Sequence, residues 1–298
     1  MIHNKKKLGA DNILLIIFYV LLTVIAVVCI FPIIFAVIGS FTPESEVAVH
    51  GFTLFPRELS LETYQYVFQS QGSKLLNAYK NSILTTLCGT ALSVLITVCY
   101  AYVLSVKGFR FGNKLAFFAY FTMLFNGGMI PTYILIKNLG MLDTIWALVI
   151  PTSISVWNLI ITRTYFQSTI PGEVQESASV DGCDDFTFLI KIAIPLAKPI
   201  LAVNVLLYAV GHWNSYFNEM MYLSTNTKFP LQLVLREILV NMGTAGMTLD
   251  VTKQLEMQET KYLLQYSSII VGSVPVMLLY PFVQKYFVKG IMVGAIKG

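Results

Sequence analysis

Long apolar runs separated by short polar stretches dominate this chain. Six are long enough to cross a bilayer as helices: Ile13–Ile38, Ser82–Val106, Leu115–Ile136, Trp146–Phe166, Ile200–Leu223 and Leu263–Phe287. Crossing a hydrocarbon core of about 30 Å takes roughly 20 helical residues, and helices satisfy their own backbone polar groups in lipid. The pattern predicts an all-α polytopic membrane protein with six transmembrane helices in one domain, residues 1–298. Lys5, Lys6 and Lys7 precede the first run. That run is too long for the apolar region of a leader, and no small-residue cleavage site follows, so it reads as an uncleaved span.

Lysine and arginine favour the cytoplasmic ends of spans. Lys107, Arg110, Lys114, Arg163, Lys191, Lys198 and Lys285 join the N-terminal lysines on one side. Both termini and the loop 167–199 are thereby predicted to be cytoplasmic. The loops Phe41–Lys80 and Ser224–Tyr262 then face outward. Within the second, Leu231–Val240 has helical apolar spacing, and Gly243, Gly246 and Met247 predict a flexible tip. These loops suit either a cap over the outer mouth or contact with an external delivery protein.

Composition agrees with a membrane chain: 56% of residues are hydrophobic and 12% charged, against about 25% charged in soluble domains. The net charge of +4 fits a cytoplasmic bias of basic residues better than nucleic-acid binding. The four cysteines have no metal or disulfide spacing, and three lie in apolar runs. His3, His50 and His212 are scattered, and no phosphate-binding G-x-x-x-x-G-K-[ST] loop occurs. The chain is thus expected to be no enzyme and to bind no cofactor.

The loop 167–199 is polar and acidic between apolar neighbours. Glu173–Val180 predicts a short helix with Pro171 near its start and Glu173 and Glu176 at the positive end of its dipole. Ala178 keeps one face small, and Gly182 suits a left-handed stop. Asp184 or Asp185 can cap a second helix, Phe186–Ile194, which Pro195 and Pro199 separate from the fifth span. Two short helices around a glycine elbow form a rigid knob that can transmit motion.

Glu176-Ser177-Ala178, Gly182, Ile192, Ile194 and Pro195 match the E-A-A…G…I-x-L-P signature of ABC importer permeases, with Ser177 for the usual alanine and Ile194 for leucine. Gly127–Tyr133, Leu139–Thr144 and Gln284–Gly290 look like the carbohydrate-uptake branch. The chain resembles the second permease of maltose-type systems, and more closely the polysaccharide-type permeases of Gram-positive oligosaccharide importers. The resemblance implies a multi-pass protein of the bacterial plasma membrane, heterodimeric with a sister permease. It also implies two cytoplasmic ATPase subunits, which bind the ATP and Mg, and an extracellular solute-binding lipoprotein. It assigns ATPase coupling to Glu173, Glu176, Ser177, Ala178, Asp181, Gly182, Phe186, Ile192 and Pro195. It points to Asn241, Gly243, Gly246 and Met247 for binding-protein contact, and to the tail 289–298 for further ATPase contact.

Polar residues at membrane depth are candidates for a substrate path. Asn126, Asn158, Asn204, Tyr208, Trp213, Asn214, Tyr216 and Asn218 offer aromatic faces and amides suited to sugars. The same residue types also glue helices together. An ion-coupled secondary sugar transporter without an ATPase is the competing expectation; Glu219 is nearly the only carboxylate in a span that could serve it.

Overall fold

A computed structural model describes residues 10–51, 53–106, 108–245, 264–278 and 281. The described residues form helices and connections, with no strand among them. In chain order the helices are α1 (Ala10–Ser40), α2 (Glu44–His50), α3 (Glu62–Ser105), α4 (Gly112–Leu124) and α5 (Met129–Asn138). Then come α6 (Trp146–Val149), α7 (Val156–Thr169), α8 (Gly172–Val180) and α9 (Asp185–Phe188), a π-helical turn Leu189–Ala193, and α10 (Ile194–Leu196). The series continues with α11 (Lys198–Asn214), α12 (Phe217–Tyr222), α13 (Leu231–Ala245) and α14 (Leu264–Leu278).

These fall into two compact units, one drawn from Met1–Gln71 and Ile238–Ser273, the other from Gly72–Glu237 and Val274–Gly298. In the first, α1 turns most of its apolar side chains outward, as a helix solvated by lipid does. It closes on α14 at Gly39, where an added Cβ would stand 2.8 Å from the Tyr266 ring. The Glu46 carboxylate accepts from the backbone N–H groups of Arg57 (2.6 Å) and Glu58 (2.9 Å), folding the α2–α3 connection back on itself.

The second unit holds the candidate site. By length and apolar content α1 and α3 can each cross a membrane, and two bent pairs pass the same test together. The expected span Leu115–Ile136 is one of those pairs. It divides into α4 and α5, bent by 116°. Asn126-Gly127-Gly128 makes the corner: the Asn126 side-chain oxygen accepts from Gly128 N at 2.8 Å, and Gly128 takes φ 87°. That is the side-chain-closed, positive-φ turn that Asn-Gly sequences favour. The expected spans Trp146–Phe166 and Ile200–Leu223 are also interrupted, between α6 and α7 and at Ser215–Tyr216. In the expected outer loop Phe41–Lys80, α3 already begins at Glu62. Apolar content alone does not register such corners.

Candidate functional site

Short-range rules build the loop between α7 and α11. Pro171, extended, leads into α8 and has no N–H to leave unpaired. Ala178 is buried, whereas Glu173, Glu176, Ser177, Val180 and Asp181 are exposed. Gly182 takes φ 78°, left-handed backbone that costs an L-residue about 1–2 kcal/mol. Cys183 N then donates to Ala178 O at 2.9 Å, closing the elbow. Asp184 caps α9 by accepting from Thr187 N at 3.2 Å. Hydrogen bonds from Thr187 hold its carboxyl below the usual range.

The second expected helix, Phe186–Ile194, is present as α9, the π turn and α10, and Pro195 lies within α10. The corner with α11 falls at Ala197 and measures 83°. Phe186 is exposed, Ile192 half-buried and Pro195 exposed. Beneath this element Tyr102 of α3 meets Phe166 of α7 edge-on, centroids 6.2 Å apart, and stacks on Phe188 of α9 at 6.3 Å. Ala178, Leu189, Ala193 and Ala197 share that core. The elbow is therefore bolted to two long helices, and its acidic outer face is left open.

Deeper in the same unit, α3 and α11 run antiparallel through a polar seam. Gly89, Ser93 and Thr97 recur every four residues on α3, and Asn204, Tyr208 and His212 do so on α11, so each set lies on one helix face. Thr97 Oγ1 and Tyr208 OH share a 2.6 Å hydrogen bond, and Ser155 N donates to Tyr208 OH at 3.0 Å. Asn204 donates its amide to Thr162 Oγ1 at 2.6 Å, and that hydroxyl donates to Asn158 O at 2.7 Å. Small residues that let backbones approach, with hydrogen bonds across the contact, are the usual means of joining helices in lipid.

Beside the seam the breaks before α7 and after α11 leave a cavity of about 470 Å³, within the range of small-molecule sites. It brings together Asn158, Tyr208, Asn214 and Asn218 with Thr152, Ser155, Ser215 and His212. Other expected path residues sit elsewhere. Trp213 is buried with its ring 6.3 Å from that of Tyr79, and Tyr216 holds Arg236 over its face at 5.8 Å. Asn204 is buried in the seam, and Asn126 is exposed at the α4–α5 corner.

On the predicted outer side, Asp143 was not singled out from sequence. It is the sole non-glycine residue with positive φ among the described residues, at 57°. Its carboxylate accepts from Ser224 N and Thr225 N (both 3.0 Å), Thr225 Oγ1 (2.7 Å) and Lys228 Nζ (2.6 Å). These bonds hold its carboxyl far below the usual range, the Lys228 contact foremost. The α5–α6 connection is thereby latched to the segment before α13. Asn241 and Gly243 lie within α13, so Gly243 is helical where a flexible tip was expected. Gly246, Met247 and the tail 289–298 lie outside the described residues.

No protein-family model matches the chain. It is 37% identical to protein LplC of Bacillus subtilis, over 99% of this chain and 98% of that one. It is 38% identical to the polygalacturonan/rhamnogalacturonan transport system permease protein YtcP of the same organism, covering 94% and 96% of the two chains. The chain belongs to the ABC sugar-transport permeases. The fold agrees. A chain in the crystal structure of a bacterial ABC transporter involved in the import of the acidic polysaccharide alginate superposes with a TM-score of 0.79 at 32% identity. That match covers 94% of this permease and 98% of that chain. The arabinooligosaccharides transport system permease protein AraQ of Halalkalibacterium halodurans is 28% identical over 92% of this permease and 93% of its own length. The protein is thus an integral membrane transport subunit of an importer whose ATPase is a separate subunit. It works with another permease, an ATPase and a solute-binding protein, and the ion-coupled alternative falls away.

Proposed function

We propose that this permease passes oligosaccharides released from polysaccharides into the cell, as half of a heterodimer carried by two ATPase subunits and fed by an extracellular solute-binding lipoprotein. The relatives named for polygalacturonan/rhamnogalacturonan, arabinooligosaccharides and alginate support this substrate class. In this reading the chain spans the membrane six times with both termini inside, ATP and Mg stay on the ATPase, and no cofactor binds here. Asn241, Gly243, Gly246 and Met247 belong to the face that meets the binding protein.

The observation that carries the reading is the α8–Gly182–α9 elbow. An exposed acidic surface stands on an aromatic core shared with α3 and α7, so a push on α8 reaches both long helices. Glu173, Glu176, Ser177, Asp181 and Phe186 form the surface offered to the ATPase. Ala178, Gly182, Ile192 and Pro195 shape it. Energetic coupling needs such a packed element with discrete arrangements that both partners bias.

The test is to purify the chain from its native membrane, identify what accompanies it, and measure saccharide uptake by cells carrying Glu176→Lys or Gly182→Asp. A co-purifying ATPase in the wild type, with uptake lost in both variants at normal membrane levels, is the expected result. Normal ATPase docking and uptake in both variants would remove the coupling role.

A further inference from the structure

The cavity between the α6–α7 break and the α11–α12 break has two properties that together define a ligand. First, Asn158, Asn214 and Asn218 all line it, and no side-chain amide of theirs has a hydrogen-bond partner among the described residues. Asn158 is only 5% exposed and lines the cavity with no hydrogen bond from its side chain among the described residues. A ligand in the cavity can supply the hydrogen bonds that these amides lack within the protein. Second, among the described residues no lysine, arginine, aspartate or glutamate lines the cavity. His212 also contributes to the wall, but its ring edge lies against Gly89 and its Nε2 is 3.5 Å from Ser93 Oγ. Tyr208 OH is held by Thr97 and Ser155 N, so its orientation is fixed before anything binds.

Each free amide supplies both an acceptor oxygen and two N–H donors. Vicinal sugar hydroxyls, which donate and accept at once, match that set. A carboxylate is acceptor-only and leaves water favourably only where charge-assisted donors replace its hydration. We propose that this cavity holds one uncharged pyranose unit by its hydroxyls through Asn158, Asn214 and Asn218, and selects against a unit bearing a carboxylate. The proposal rests on the sugar-importer reading above and divides the work of an acidic saccharide: this subunit grips neutral hydroxyl faces, and any carboxylate is met elsewhere in the assembly.

The test uses the intact permease–ATPase complex without its binding protein. The probes are radiolabelled α-1,4-galactobiose and α-1,4-digalacturonate, which differ only in CH2OH against carboxylate at C6. Galactobiose is expected to bind about tenfold or more tighter than digalacturonate, and Asn158→Ala and Asn214→Ala each to weaken it about five- to tenfold, the scale of a lost hydrogen bond. Asn214 is exposed, so its variant folds even if the Asn158 variant does not. Asn214→Arg is expected to reverse the preference. Equal or tighter binding of digalacturonate overturns the proposal, as does galactobiose binding indifferent to Asn214→Ala. Retention of neither disaccharide by a complex that still imports saccharide from its binding protein also overturns it and leaves the importer reading standing. A chain that yields no ATPase and no uptake of any saccharide overturns that reading itself.

Discussion

The imidazole of His212 lies so close over Gly89 that a Cβ on residue 89 would stand 2.6 Å from both Cε1 and Nε2. Two effects oppose each other in Gly89→Ala. Alanine improves helix propensity by about 1 kcal/mol, while forcing a group into a packed contact costs about 1–3 kcal/mol. His212 is a rigid ring on a packed helix, so the clash wins. The expected net loss is about 1 kcal/mol, read as a lower midpoint for thermal unfolding of the purified protein. His212→Ala in the Gly89→Ala background restores part of it. Strict additivity in that double-mutant cycle would show that the two residues do not interact.

Thr162 is the middle of a buried chain: its hydroxyl accepts from the Asn204 amide and donates to Asn158 O. Thr162→Val keeps the shape and removes both bonds. It leaves the Asn204 amide, 1% exposed, without its acceptor, at a cost of about 1–3 kcal/mol. Thr162→Ser keeps the hydroxyl and is expected to lose less than half as much. A loss in Thr162→Ser with none in Thr162→Val would show that the methyl, not the hydroxyl, matters.

The elbow was legible because each of its parts obeys a local rule: Pro171 before the helix, Gly182 at positive φ, Asp184 as a cap. The cavity was only partly legible. Asn158, Tyr208, Asn214 and Asn218 stand out as polar residues in apolar runs, but nothing local shows that the breaks before α7 and after α11 bring them to one space. Trp213 carries the same composition signal and packs against Tyr79 instead. Continuous apolar content also concealed the Asn126–Gly128 corner. Asp143 escaped notice because its partners, Ser224, Thr225 and Lys228, are about 80 residues away in sequence. Only the Leu139–Thr144 likeness pointed near it.

The Asp143 latch has a defined pH dependence. Its folded carboxyl titrates below the ordinary value of 3.8, chiefly through Lys228 and Thr225. As pH falls, the unfolded chain therefore takes up the proton first. The latch contributes fully above the ordinary value, and its contribution declines only as pH drops below it. Asn tolerates positive φ, so Asp143→Asn keeps the turn but loses the ion pair, and Asp143→Ala loses both. The expected stability order is wild type, then Asn, then Ala. Thermal midpoints from pH 7 to pH 3 should show the gap between wild type and Asp143→Asn constant until the carboxylate range and narrowing below it. A gap already closing near neutrality would place the responsible group elsewhere.

Tyr102 gives the coupling element its base, yet its buried hydroxyl has no hydrogen-bond partner among the described residues. The rings and the hydroxyl therefore make opposite predictions. Tyr102→Phe keeps the contacts with Phe166 and Phe188 and removes an unsatisfied polar group, so stability should be unchanged or rise by up to about 1–3 kcal/mol. Tyr102→Ala empties the space between the two phenylalanines and should cost about 3–5 kcal/mol, as large aromatic truncations do. If α8 and α9 pass motion to α3 through this stack, uptake in the alanine variant falls further than its membrane level, while the phenylalanine variant transports normally. Should Tyr102→Phe lose uptake while gaining stability, the hydroxyl finds its partner in another state of the transport cycle, and the stack alone would not be the connection.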